Sequence, residues 1–365
     1  MAERSSDTIA EIDPQRLVAL VDAPKKVARV ANLRYVHDDQ KGISRRRSGK
    51  GWSYSLEKKT IKDKAVIERI QALAIPPAWT DVWICAHENG HLQATGSDAK
   101  GRKQYRYHKR WAQVRGQVKY HRLNSFGKHL PRLRKQIQED LDKKGMPKEK
   151  VLAGAVALME RTRIRVGNKA YEQSNGSFGL STLKNKHVKR EKKGIRIRFK
   201  GKSGIMHDIP LHGARLTRLL LRCKELPGQD LFTYVDEEGE AHDVDSGMVN
   251  DYIRTASGGD FSSKDLRTWM GSTRCVEALL DADPPGSATA CAQCVNEAMD
   301  VVAKHLGNTR AVCKAHYVHP SVIRTFEEGQ LVDLAKGVHK ATPGGTGLNR
   351  AERVLMKICN GVVTV

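Results

Sequence analysis

The sequence predicts an α+β chain: a small β-rich amino-terminal domain over residues 31–110, then a larger, mostly α-helical domain with a small antiparallel sheet over residues 111–340. Three observations carry this. Short alternating runs separated by Gly, Asn and Asp crowd the stretch from Asn32 to His108. Helix-period patterns dominate from Lys109 onward. Three β-like runs joined by glycine-bearing basic turns interrupt those helices between Gly179 and Leu211. Residues 1–30 are polar and read as a flexible segment, and residues 341–365 as a tail with one short helix. At 365 residues the chain can build two separate cores.

In the first domain, "LRYVH", "GWSYSL", "DVWICAH" and "HLQATG" read as strands, and "KDKAVIERIQALAI" as a helix closed by Pro76 and Pro77. A basic helix runs from Lys109 to Leu141, and Gly145 and Pro147 punctuate the chain beyond its end. The next run, "EKVLAGAVALMERTRIR", reads as a helix ending at Gly167. It places Val151, Ala155, Leu158 and Arg165 on one face. An arginine in a buried stripe needs an anionic partner. "GLSTLKNKHV", "IRIRF" and "IMHDIPL" read as three strands joined by "KREKKG" and "KGKSG". Helices succeed them at "ARLTRLLLRCKEL", "MVNDYIRTA", "KDLRTWMGSTRCVEALLDA" and "CAQCVNEAMDVVAKHL". In the last, Val295, Met299, Val302 and Leu306 form the apolar face and Gly307 is the stop. A short helical segment then carries Tyr317, and "RAERVLMKI" forms the helix of the tail.

Lys and Arg number 64 against 41 acids, a net charge of +23, and a polyanion is the expected partner. The excess is concentrated: Lys184 to Lys202 holds ten Lys or Arg and one acid, Glu191, a sheet edge suited to phosphates. The amino terminus lacks a charged start followed by an apolar core, and the longest apolar stretch, "VLAGAVALM", is too short to span a bilayer. A cytoplasmic protein with no membrane partner is therefore expected. Seven scattered cysteines suit a reducing compartment. Cys291 and Cys294 form a CxxC without a second pair at zinc-site spacing, so they read as helix-packing residues.

Several residues at punctuated element edges could act together on a phosphodiester: Arg165, Lys202, Arg267 and Asn308, with Tyr317 nine residues beyond the asparagine. A tyrosine hydroxyl titrates near pH 10 and is a weak nucleophile unless cations polarise its target. Two arginines can grip non-bridging phosphate oxygens, an amide can add a hydrogen bond, and a lysine can protonate a departing alkoxide. No HExxH, Walker A loop or clustered acids call for a metal or nucleotide cofactor. Spacing alone does not separate this set from a solvated turn lysine, a helix-surface arginine, a helix cap and a groove-filling tyrosine.

The motifs resemble the poxvirus-like and bacterial branch of the type IB DNA topoisomerases, from about Leu33 to about Gly337. "IRVGN" is similar to the segment of the family's first arginine (Arg165), "FKGKSG" to its lysine hairpin (Lys202), and "KDLRT" to its second arginine (Arg267), with Lys264 in the same pattern. "LGNT" followed by Tyr317 is similar to the His-or-Asn and nucleophile pair; position 308 is Asn where the poxvirus enzymes carry His, so a hydrogen bond is retained and acid–base chemistry is lost there. "GRKQYRYH" resembles a DNA-reading segment, implying contacts from Gln104, Tyr105 and Tyr107, with Arg115 a further one. The resemblance implies a clamp around double-stranded DNA, a 3′-phosphotyrosyl intermediate, and relaxation of supercoils by a monomer without ATP or metal. A tyrosine recombinase would show HxxR where this chain has Lys264-x-x-Arg267, and a purely compacting protein would need only the charge.

Overall fold

The computed structural model describes residues 12, 16–17, 20, 23–49, 51–99, 101, 103–283, 285–338 and 345–361. The side chains of residues 170 and 171 fall outside this description, as do most of the expected flexible segment and part of the tail. Two compact units emerge, residues 1–122 and 123–365.

The first unit contains helix α1 (Pro24–Val30), its proline in the first turn where a missing N–H costs nothing. The chain then forms an antiparallel sheet from β1 (Ile43–Ser48), β2 (Gly51–Leu56), β3 (Lys59–Thr60), β4 (Thr80–Ile84), β5 (Leu92–Ser97) and β6 (Lys103–Tyr107), in the order β3-β2-β1-β4-β5-β6. Helix α2 (Lys64–Ala72) is capped by the Asp63 carboxylate, which accepts from the N–H groups of Ala65 and Val66. Ile70 of that helix packs with Ile43, Tyr54, Val82, Ile84 and Ala94 of the sheet. Two expectations are corrected here. "LRYVH" supplies only an isolated bridge between Arg34 and Gly90, and the charge-rich "ISRRRS" is a strand, because pairing on both sides with β2 and β4 supplies its ladder.

Helix α3 (Lys109–Asp142) runs through the division between the units, which falls after Arg122 and not at residue 110. The reason is packing: its first turns bury Trp111, Val114 and Val118 with Val27 and Leu33, while Leu123, Phe126, Leu130, Leu133 and Ile137 belong to the second core.

The second unit continues with α4 (Lys148–Thr162), α5 (Lys169–Asn175), the antiparallel sheet β7 (Val188–Glu191), β8 (Gly194–Lys200) and β9 (Met206–Leu211), then α6 (Ala214–Cys223) and the hairpin β10 (Thr233–Val235) and β11 (Ala241–Asp243). Helices α7 (Ser246–Ser257), α8 (Ser263–Leu280), α9 (Ala288–Leu306), α10 (Arg310–His316), α11 (Pro320–Glu327), α12 (Leu331–Ala335) and α13 (Arg350–Gly361) complete it. The α+β class holds, with Val295, Met299, Val302 and Leu306 all buried and Cys291 and Cys294 half-buried against the core. Among the described residues no helix is long and apolar enough to cross a membrane.

Two boundaries differ from expectation, and both shape the site. Helix α4 stops at Thr162 because Arg163 adopts a left-handed conformation (φ 59°), so Arg165 lies in an irregular segment and not on the helical stripe. "GLSTLKNKHV" forms two short 3-10 turns, and the strand begins only at Val188. The N–H groups of Leu180 and Ser181 donate to the carbonyls of Arg165 (2.8 Å) and Val166 (2.7 Å), so this run braces the arginine segment instead of extending the sheet.

Candidate active site

The irregular segment after α4 presents Arg165 toward the loop that ends α9. Its Nη2 donates to the Gly307 carbonyl at 3.2 Å and to Asn308 Oδ1 at 2.5 Å. Gly307 ends α9 in the left-handed region (φ 59°), turning the chain so that Asn308 comes at once. With Oδ1 committed to Arg165, Asn308 Nδ2 is a buried donor with no partner among the described residues.

Arg267 lies on α8, whose start is fixed by a capping box: Asp265 accepts from the N–H and hydroxyl of Ser262 at 2.9 and 2.8 Å. The side chain is only 4% exposed. One Nη donates to the Arg163 carbonyl and the other to the Leu306 carbonyl at 3.0 Å, while Nε is buried without a partner among the described residues. Burial, reinforced by the charge of Arg165, pushes this guanidinium down to about 10, partly offset by Tyr317. The guanidinium carbon stands 5.3 Å from the centre of the Tyr317 ring.

Tyr317 comes directly after the last residue of α10, its N–H donating to the Cys313 carbonyl at 2.9 Å. Its backbone is pinned to α8. Ser272 Oγ donates to the Tyr317 carbonyl at 3.3 Å and accepts from the His319 N–H at 3.0 Å. A Cβ on Gly271 would meet the Tyr317 carbonyl oxygen at 2.6 Å and its Cβ at 3.1 Å, so only glycine permits this approach.

Four of the five expected residues are thus gathered into one site: two guanidinium groups, two buried donors without acceptors among the described residues, and one half-buried tyrosine. Buried donors are normally satisfied, and a tetrahedral anion offers several acceptors at once. Lys202 stands apart at the β8–β9 turn, with an exposed side chain and Ser203 beside it in the left-handed region (φ 63°). The basic sheet is less cationic than its sequence implies. Asp208 on β9 pairs with Arg196 and Arg198 at 2.9 Å, and Glu191 also pairs with Arg196.

In the first unit, Tyr105 and Tyr107 on β6 are 47% and 49% exposed, with parallel rings 6.0 Å apart. Tyr107 continues to Trp111 at 6.3 Å. Burial and Tyr105 push the Tyr107 phenol up, with the Arg115 charge opposing. Gln104 donates through Nε2 to Asp98 at 2.9 Å. In the second unit, Lys264 is exposed in the first turn of α8.

Known proteins are similar in sequence to this chain over most of its length. The profile of the eukaryotic DNA topoisomerase I catalytic core matches residues 108–340. DNA topoisomerase 1B of Acanthamoeba polyphaga mimivirus is 34% identical over 303 residues, covering 78% of this chain and 88% of the viral protein. The chain belongs to the type IB DNA topoisomerases. The profile of the bacterial DNA topoisomerase IB N-terminal domain matches residues 51–98 of this topoisomerase, within the six-stranded sheet unit. DNA topoisomerase 1B of vaccinia virus (strain Copenhagen) is 30% identical over 282 residues, covering 74% of this chain and 85% of that protein.

Sequence reasoning on this topoisomerase missed the residues that act through backbone. The carbonyls of Arg163 and Leu306, which anchor Arg267, leave no mark in the sequence. Gly271 did leave one: a glycine inside an otherwise strong helix costs about 1 kcal/mol and signals a close approach.

Proposed function

We propose that this topoisomerase relaxes supercoiled DNA through a transient 3′-phosphotyrosyl bond to Tyr317. The Tyr317 hydroxyl oxygen attacks a backbone phosphorus and gives up its proton to solvent, the bond from phosphorus to the 5′ oxygen breaks, and the downstream strand leaves with a free 5′-hydroxyl. Arg165 and Arg267 hold the non-bridging oxygens, and Asn308 Nδ2 adds one hydrogen bond to the crowded phosphorane. Lys202 supplies the proton that the departing alkoxide requires. The free end swivels, and its hydroxyl then attacks phosphorus and expels Tyr317. The phosphotyrosyl ester is close in energy to the bond it replaced, so neither ATP nor metal takes part. Gln104, Tyr105, Tyr107, Arg115 and Lys264 contact the duplex, which both units clamp as a monomer.

The observation that supports this most is the Arg267 guanidinium, held by two main-chain carbonyls, 5.3 Å from the Tyr317 ring and with an Nε that has no partner among the described residues. A charged donor anchored on one edge and open on another is preorganised for an anion beside that ring. The test is end-specific trapping. A duplex labelled at the 5′ end of the cleaved strand should transfer its label to protein in detergent, with the adduct peptide containing Tyr317. A 3′-end label should leave on a free 5′-hydroxyl strand. Adducts carrying the 3′-end label, or adducts formed by Tyr317→Phe, contradict the assignment.

A further inference from the structure

His207 lies on β9, and no step of the proposed reaction uses it. Its ring stacks on Phe199 of β8, centroids 4.7 Å apart and planes within 9°. The edge of that ring occupies space left by two glycines from different parts of the unit. A Cβ on Gly201, the residue before Lys202, would come within 2.6 Å of His207 Cδ2 and Nε2. A Cβ on Gly307, the residue before Asn308, would come within 3.1 Å of His207 Cε1. The same Gly307 offers its carbonyl to Arg165. Burial, and then the charges of Arg165 and Arg267, push the pKa of this imidazole below its ordinary value.

We propose that His207 is a positioning residue that docks the Lys202 hairpin against the Gly307–Asn308 loop, fixing the general acid relative to the phosphate-gripping groups. This rests on the proposed roles of Lys202 and Tyr317. The hairpin needs such a support. Its main-chain bonds, Gly201 N–H to the Ile205 carbonyl at 2.7 Å and Phe178 N–H to the Lys200 carbonyl at 2.8 Å, hold the turn and one flank. Neither reaches the Asn308 loop. The flat ring does, touching both glycines at once. Gly201 has φ −91°, which any residue adopts, so its lack of a side chain reflects the ring and not backbone strain.

Displacing an acid by about 1 Å costs roughly 10²-fold in rate. His207→Ala should therefore slow single-turnover cleavage of an ordinary strand by about that factor. A strand with sulfur bridging to the 5′ carbon at the cleavage site should be cut at nearly the unmodified protein's rate, because a thiolate departs without needing a proton. DNA affinity should be unchanged. Gly201→Ala attacks the same contact from the other side and should show the same pattern, while the double variant should be no slower than His207→Ala alone. Ordinary-strand cleavage at full rate by His207→Ala overturns the inference, as does equal slowing on both strands. Lys202→Ala on the sulfur strand separates the two levels. If sulfur fails to rescue it, the proposed role of Lys202 falls; if sulfur rescues Lys202→Ala but not His207→Ala, only the role of His207 falls.

Discussion

Replacing Arg267 with methionine should leave the protein nearly as stable as before while disabling it. The magnitude comes from the surroundings of the guanidinium. Burial and the Arg165 charge push it from its ordinary value down to about 10, a penalty on the cation of about 3 kcal/mol. Its bonds to the carbonyls of Arg163 and Leu306 return roughly 1.5–3 kcal/mol each, as charge-assisted hydrogen bonds do. The bonds match the penalty or exceed it by up to about 3 kcal/mol in the free protein, and methionine fills a similar volume without either. Stability should therefore change by no more than about 3 kcal/mol, readable as a modest shift in a urea unfolding midpoint. Cleavage should fall about 10²–10³-fold, the usual effect of removing one preorganised donor to a transition state. Single-turnover cleavage on a labelled duplex measures it. Cleavage within tenfold of the unmodified protein would refute the role, and a loss of more than about 5 kcal/mol would mean the arginine is a structural post.

Other groups can be tested in the same way. Lys202→Ala should cleave ordinary DNA slowly and a 5′-sulfur-bridged strand at nearly the normal rate, whereas Arg267→Ala should stay slow on both, since the phosphorane still lacks its counter-charge. Glu352, 3% exposed, accepts from Arg134 and from Trp269 Nε1 at 2.9 Å; burial raises its pKa, but these donors more than reverse that, so its carboxylate stabilises the fold above the ordinary carboxylate range. Glu352→Gln should cost about 3 kcal/mol at neutral pH, the low end for a broken buried pair because Glu160 still faces Arg134 at 2.6 Å. That deficit should shrink in unfolding titrations as pH falls below about 4, through the depressed folded value, where the native protein loses the same charge. Duplex affinity should fall linearly in log K against log monovalent salt, and a flat dependence would contradict a grip on many phosphates.

Much of the fold was legible in the sequence because its signals are local. The hairpin of β8 and β9, the helices from α6 to α9 and the glycine stop at Gly307 all arise from period and punctuation. What escaped depends on contacts across the chain. The strand "ISRRRS" has too many charges to advertise itself, and only its two neighbours make it a strand. The left-handed turn at Arg163 is held where Arg267 reaches its carbonyl, 104 residues away in sequence, so nothing near Arg163 announces the end of the helix. Asp208 quenches part of the basic sheet from the opposite strand. The periodicity of the tail helix does not reveal that Glu352 within it ties Trp269 of α8, two residues from Arg267, to Arg134 of α3. The five candidate residues were found by their motifs, and geometry then gathered four of them.

The most direct test of the central claim is the linking number of supercoiled plasmid incubated with the protein in excess EDTA, without ATP, and stopped with detergent. The account predicts a ladder of relaxed topoisomers from the unmodified protein and an unchanged supercoiled band from Tyr317→Phe, although both retard the plasmid before detergent is added. Relaxation by Tyr317→Phe, or retardation by the unmodified protein with no change in linking number, would contradict it.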